Sequence, residues 1–284
     1  MTNASASGVA PDHPTPFPAV NTVALDFLAG VQRILGDQFR AMYLSGSLAL
    51  GDFSADRSDI DFIVVTEDEV SGAHFPALHT LHACFNASDS SWATEVEAAY
   101  IPLAALRRYD PAHARHPHIQ RGADEALVWD QLATDWVLQR FILREYGVIV
   151  AGPPPDILID PVPADDLRRA VVALMRHVWW ARMPDDPTPL RHRGYQAYVV
   201  LTMCRILYTL DIGAVVSKPV AARWARIALP TQWNALIERA QAWRKEDQHI
   251  QDGDVEETVA LLRYAQDRCQ HWEQAAATQR ERPS

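Results

Sequence analysis

Asp59 and Asp61 stand one residue apart at the mouth of an apolar run, residues 60–65. On a strand, residues i and i+2 point to the same side, so the two carboxylates face one way together. Two carboxylates this close repel each other unless a cation sits between them. Magnesium suits such a pair, because it takes oxygen ligands and is typically held by one or two carboxylates plus substrate phosphates. Upstream, Gly46 and Ser47 close a shorter apolar segment, residues 41–44. Glycine lets a backbone approach a phosphate closely. The Ser47 hydroxyl and the neighbouring N–H groups can then bond phosphate oxygens, although the G-K-[ST] ending of a Walker A loop is absent. Downstream, Glu95 and Glu97 share one face of a third apolar segment that begins at Thr94. Either could accept the proton of an attacking hydroxyl. These groups together spell phosphoryl or nucleotidyl transfer, with a metal neutralising charge.

Such groups work only if strands hold them. Residues 21–39 read as a helix, with Asn21 as N-cap and Val23, Phe27, Leu28, Val31 and Leu35 as its apolar stripe. Residues 41–44 and 60–65 read as strands, a third strand starts at Thr94, and residues 75–85 suit a helix between them. That interleaving predicts an α+β domain with a mixed sheet. From Asp124 to Gly147 the apolar spacing is helical. The proline-rich stretch 151–166 forbids continuous helix and marks a linker. Helical segments follow over residues 165–183, 194–210, 219–228, 231–247 and 255–277, the pattern of an all-α bundle. The expected organisation is a disordered tail over residues 1–20, a catalytic domain over 21–157 and a helical domain over 158–284.

Composition narrows the class. The formal net charge of −10 argues against a general nucleic-acid binder. The one stretch of eighteen or more residues without Asp, Glu, Lys or Arg, residues 70–88, carries three histidines and a proline, which argues against a membrane span. The first twenty residues lack the basic and apolar regions of a secretory signal. Cys84, Cys204 and Cys269 fit no zinc spacing and are odd in number, so free thiols in a reducing cytoplasm are expected. His113, His116 and His118 have no clear metal-ligand context and read as exposed loop residues. No heptad seam calls for a coiled-coil partner, and a monomer is expected.

The stretch SGSLALGDFSADRSDIDFIVV resembles the G-S…D-x-D signature of the nucleotidyltransferase superfamily. YIPLAAL, GVIVAGPPP, DPVPADDLRRAV, RGYQAYVVLTMCRILYTL, VVSKPVAARWARIALP and IERAQAWR are similar, in the same order, to the aminoglycoside adenylyltransferases that modify spectinomycin and, in some members, streptomycin. The resemblance runs over residues 43–272. It implies that Asp59 and Asp61 bind magnesium and that Gly46, Ser47 and Ser58 hold the ATP phosphates. It implies a catalytic base on the third strand, which by its distance to YIP is Glu97, a third candidate metal ligand; Glu95 is the alternative. Lys218, ahead of Pro219 at a helix start, is expected at the nucleotide phosphates, where a helix N-terminus also attracts anions. Trp243 matches an aromatic near the nucleotide, which would lie in a cleft between the domains. Tyr195 and Tyr198 are expected to line the acceptor pocket, with Thr202 on the same helical face. Trp179 and Trp180 cannot both face inward, and Asp185 and Asp186 lie in the loop beyond them. Members that take streptomycin carry an aspartate where this chain has Tyr195, and a tryptophan in the region of residues 115–126, which contains none. The implied reaction uses ATP and Mg2+ to adenylylate a small aminocyclitol, spectinomycin before streptomycin. A related enzyme acting on a metabolite or protein hydroxyl is the alternative.

Overall fold

A computed structural model describes residues 13–56, 58–110, 115–181, 188–243 and 252–280. The chain forms two compact units, Met1–Pro161 and Val162–Ser284. The first carries a six-stranded mixed sheet in the order β5-β4-β3-β2-β1-β6. Its strands are β1 (Phe39–Leu44), β2 (Ile60–Thr66), β3 (Val96–Pro102), β4 (Arg115–Ile119), β5 (Val128–Gln131) and β6 (Val148–Ala151). Only β2 and β3 run parallel; every other neighbour is antiparallel. A parallel pair needs a crossover, and the helix α3 (His74–Asn86) supplies it.

The alternation of side chains divides the sheet into two faces. Met42, Leu44, Ile60, Phe62, Val64, Ala98 and Tyr100 pack with Phe27 and Val31 of α1 (Pro18–Leu35) and Leu78 of α3. Tyr43, Ile63, Val65, Ala99 and Ile101 pack on the other side with Ala105, Leu106, Trp136 and Leu143. Those last residues belong to α4 (Leu103–Arg107) and α5 (Trp136–Tyr146). Arg140 ties these two helices together, its Nε–H donating to the Leu106 carbonyl at 2.8 Å. Between β1 and β2 the turn after Leu44 forms the one-turn helix α2 (Gly46–Ala49), which packs on β2 and α5.

Four expectations for this unit need correction. The tail does not extend to residue 20, because α1 starts at Pro18 and Val20 is fully buried. Proline suits that first helical position, where its missing N–H costs nothing. Asn21 is therefore not a cap but a buried clamp: its Oδ1 accepts from the Thr15 N–H at 2.9 Å, and its Nδ2 donates to the Thr15 carbonyl at 2.8 Å. The segment from Asp124 is not one helix; residues 128–131 form β5 before α5 begins. The region of His116 and His118 is not a loop but strand β4, with His116 buried.

After α6 (Pro155–Leu158), the second unit is helical: α7 (Ala164–Leu174), α8 (Arg193–Ile212), α9 (Lys218–Ala228), α10 (Asn234–Trp243) and α11 (Asp252–Arg280). The fully apolar face of α8 is its centre, with Val199, Val200, Met203 and Cys204 at 0% exposure. The end of α7 widens into a π-helical turn, Met175–Trp180, a rare geometry that recurs at functional sites. Among the described residues, no helix is long and apolar enough to cross a membrane.

Candidate active site

Asp59 precedes β2 and Asp61 is its second residue. Between them Ile60 is fully buried on the α1/α3 side of the sheet, which fixes both carboxylates on the other side. In the parallel register Asp61 lies opposite Glu97 of β3. One ligand oxygen from each of Asp59, Asp61 and Glu97 falls within 4.8 Å of the others. Three carboxylates at that spacing are a donor set for a hard divalent cation. Glu95 shares the face in sequence but not the cluster. It precedes β3, is half exposed, and pairs with Arg121 Nη1 at 3.6 Å. Arg121 Nε lies equally far from Asp59 Oδ2, so this arginine spans the rim of the acidic site.

The turn after β1 fits around the same carboxylate. Gly46 has φ +54°, and a Cβ built there would lie 1.8 Å from Asp61 Oδ2. Glycine is required here twice over, by the left-handed backbone and by the carboxylate in its Cβ space. The Ser45 N–H donates to the Asp61 carbonyl at 2.9 Å, which locks turn and strand together. The hydroxyls of Ser45 and Ser47 are buried and have no hydrogen-bond partner. An unpaired buried hydroxyl costs free energy unless a ligand completes it. A phosphate oxygen beside the acidic cluster would do so. Ser58 is partly committed: its hydroxyl accepts from the Ser54 N–H at 3.0 Å and caps the turn that leads into Asp59. It also lines a cleft of about 380 Å³ with Asp56, Trp92, Glu95 and Arg121.

In the helical unit, Tyr195 and Tyr198 are partly exposed on α8, their rings 6.0 Å apart. Trp179, buried, turns its ring to within 5.7 Å of Tyr198, while Trp180 is less buried. Lys218 begins α9, and its Nζ lies 4.6 Å from the centre of the Tyr198 ring. The Thr202 hydroxyl, one turn further along α8, is buried without a partner. Trp243 ends α10, but its side chain lies outside the described residues, as do His113, Asp185 and Asp186.

Two groups at the acidic site were not read from the sequence. His118 places Nε2 3.4 Å from Glu97 Oε1 and Nδ1 3.5 Å from Asp130 Oδ2. Arg121 is the second. The sequence signal for His118 was its alternation with His116 in RHPHI, obscured by the proline between them.

Residues 30–115, which carry this acidic triad and the Gly-Ser turn, match the nucleotidyltransferase domain family. Residues 157–268 match the aminoglycoside adenylyltransferase C-terminal domain. The two matches give the chain a nucleotidyltransferase domain followed by an aminoglycoside adenylyltransferase C-terminal domain, and by class it is an ATP-dependent adenylyltransferase. It is 28% identical to an aminoglycoside (3'')(9) adenylyltransferase of Escherichia coli over 86% of this chain and 94% of that one. With the enzyme of the same name from Rhizobium radiobacter it shares 35% identity, over 42% of this chain and 43% of that protein's length. The fold is similar to that of spectinomycin adenyltransferase AAD(9) from Enterococcus faecialis, solved with ATP and spectinomycin. The TM-score is 0.66, at 16% identity, covering 88% of this chain and 99% of the other.

Proposed function

We propose that this protein transfers AMP from ATP to a hydroxyl of an aminocyclitol antibiotic, with spectinomycin as the favoured acceptor and streptomycin a poor one. The observation that carries the reading is the convergence of Asp59, Asp61 and Glu97 beside the unpaired Ser47 hydroxyl. Glu97 takes the proton from the acceptor hydroxyl. The hydroxyl oxygen then bonds the α-phosphorus, the bond to the β-phosphate oxygen breaks, and pyrophosphate leaves with that electron pair. Gly46, Ser47 and Ser58 hold phosphate oxygens, and Lys218 adds a cation at the start of a helix. Magnesium held by Asp59 and Asp61, with Glu97, would supply charge neutralisation on the triphosphate. All three carboxylates come from one chain, so a monomer suffices, and the need for ATP fits the cytoplasm.

The acceptor preference rests on what α8 offers. Tyr195 and Tyr198 present aromatic faces and hydroxyls, with no carboxylate at position 195 to meet a guanidinium. A charge-assisted hydrogen bond of that kind is worth about 1.5–3 kcal/mol. The test is to incubate the purified protein with ATP, Mg2+ and a panel of aminocyclitols and aminoglycosides, and to weigh the products. Spectinomycin should gain the mass of one AMP. If no drug gains it while another acceptor does, the antibiotic assignment fails and the acceptor is a metabolite or protein hydroxyl. If Asp59→Asn leaves transfer unchanged, the metal chemistry fails as well.

A further inference from the structure

The carboxylate assigned as the base is not held by its own strand alone. Glu97 lies opposite Asp61 on one side. On the other side, the antiparallel register of β3 and β4 sets His118 opposite Ala99. Directly opposite residues share a face, and Ala99 shares its face with Glu97 two positions earlier. The register of β4 and β5 sets His118 opposite Val128, which puts Asp130 on that face as well. Asp61, Glu97, His118 and Asp130 therefore lie on one face in an oblique row across four neighbouring strands, stepped by two residues at each of the last two pairings. Ala99, small and buried, leaves the imidazole the space to lean towards Glu97.

The contacts follow the row. His118 Nε2 faces Glu97 Oε1 at 3.4 Å and Nδ1 faces Asp130 Oδ2 at 3.5 Å. The His118 side chain is 18% exposed, against 33% for Glu97 and 54% for Asp130, so the imidazole is the most enclosed of the three. Asp130 is itself oriented, because its Oδ1 accepts the Gln131 N–H at 2.7 Å. An anchored carboxylate behind an imidazole, and a working carboxylate in front of it, is the arrangement by which an outer group sets the direction of an inner one.

We propose that His118 is the positioning residue for Glu97, and that Asp130 fixes the His118 ring from behind. With Oε1 directed at His118, the Glu97 carboxylate cannot rotate freely. It keeps one orientation towards Asp59, Asp61 and the incoming hydroxyl. The inference rests on reading Glu97 as the base and cation ligand.

The experiment compares His118→Leu, which fills the space without a donor, with His118→Gln, whose amide can donate to Glu97. Each is assayed for spectinomycin adenylylation and, separately, for binding of Mn2+ alone by electron paramagnetic resonance. His118→Leu should lower kcat by about 10- to 100-fold, leave KM for ATP within about 3-fold, and weaken Mn2+ binding by about 10-fold. His118→Gln should recover most of both losses. Adding Asp130→Ala to His118→Leu should cost nothing further, since Asp130 acts through the ring. Wild-type kcat and Mn2+ affinity in His118→Leu would overturn the proposal. So would a His118→Gln protein as impaired as His118→Leu, or full additivity with Asp130→Ala. Glu97→Gln separates the two levels. If it stays active, the reading of Glu97 is wrong; if it is inactive while His118→Leu is not, only the role of His118 is wrong.

Discussion

Gly46→Ala is the sharpest test of how the acidic site is built. The added Cβ would start 1.8 Å from Asp61 Oδ2, whereas real Cβ contacts essentially never fall below 3.0 Å. The carboxylate or the turn must move by about 1.2 Å, the difference between those distances. Retreat by Asp61 is limited, because its backbone is pinned twice, by the Ser45 N–H and by the register with Glu97. The side chain must rotate, and its oxygen then leaves the cluster with Asp59 and Glu97. A misplacement of about 1 Å at a catalytic group can cost about 100-fold in rate. The left-handed backbone adds about 1–2 kcal/mol of strain for alanine, within the stability margin of a normal domain. Gly46→Ala is therefore expected to fold, to melt a few degrees lower, and to lose about 100-fold in kcat/KM for adenylyl transfer. Steady-state kinetics and a thermal melt on the same preparation check this. A folded Gly46→Ala protein within about 3-fold of the wild-type rate would refute the claim that Asp61 acts from the position it holds here.

Glu97→Gln should reduce kcat by at least about 100-fold, whereas Glu95→Gln, which alters only an exposed pair with Arg121, should stay within about 5-fold, measured by pyrophosphate release. His82 is buried against the Tyr100 hydroxyl at 2.9 Å, and burial lowers its pKa from 6.5 to about 4. The unfolded chain therefore takes up this proton first as the pH falls. The contribution is full above about pH 6.5 and is lost towards pH 4, amounting to about 3 kcal/mol. Urea midpoints at pH 7 and pH 4.5 should fall further in the wild type than in His82→Leu, and equal falls would exclude His82 as the source. Cys84 is exposed, while burial pushes the Cys204 and Cys269 thiols up to about 12. A thiol reagent at neutral pH should modify Cys84 quickly in the native protein, and Cys204 and Cys269 only after unfolding.

The elements that build the core were legible because burial writes itself into the sequence. Residues 60–65 are an unbroken apolar run because β2 is covered on both faces, and β2 indeed spans Ile60–Thr66. The helices of the second unit were visible from their spacing, with ends a few residues off. The strands on the β5 side were not visible. In β5, Val128 is 53% exposed and Asp130 and Gln131 are also open to solvent, so no apolar alternation exists to be read. The β4 strand carries Pro117, a residue that argues against a central strand. Towards β3 the ladder reaches only His118 and Ile119, and the register partner of Pro117 is Trp129 of β5.

The same distinction explains which parts of the site could be read in advance. Asp59 and Asp61 are coupled along one strand, so their shared direction follows from spacing alone. Choosing Glu97 over Glu95 cannot be settled that way, because in the sequence both fall on one face of a single apolar segment. What separates them is register: the β2–β3 pairing sets Glu97 level with Asp61 and leaves Glu95 one step beyond the end of β3. His118 and Asp130 are a further step removed, since each depends on a register between strands whose existence the sequence hides. Spacing along a chain fixes which way a side chain points, and pairing between chain segments fixes what it meets. An acidic pair is thus written in the sequence, but the histidine that faces Glu97 appears only once the strands are laid side by side.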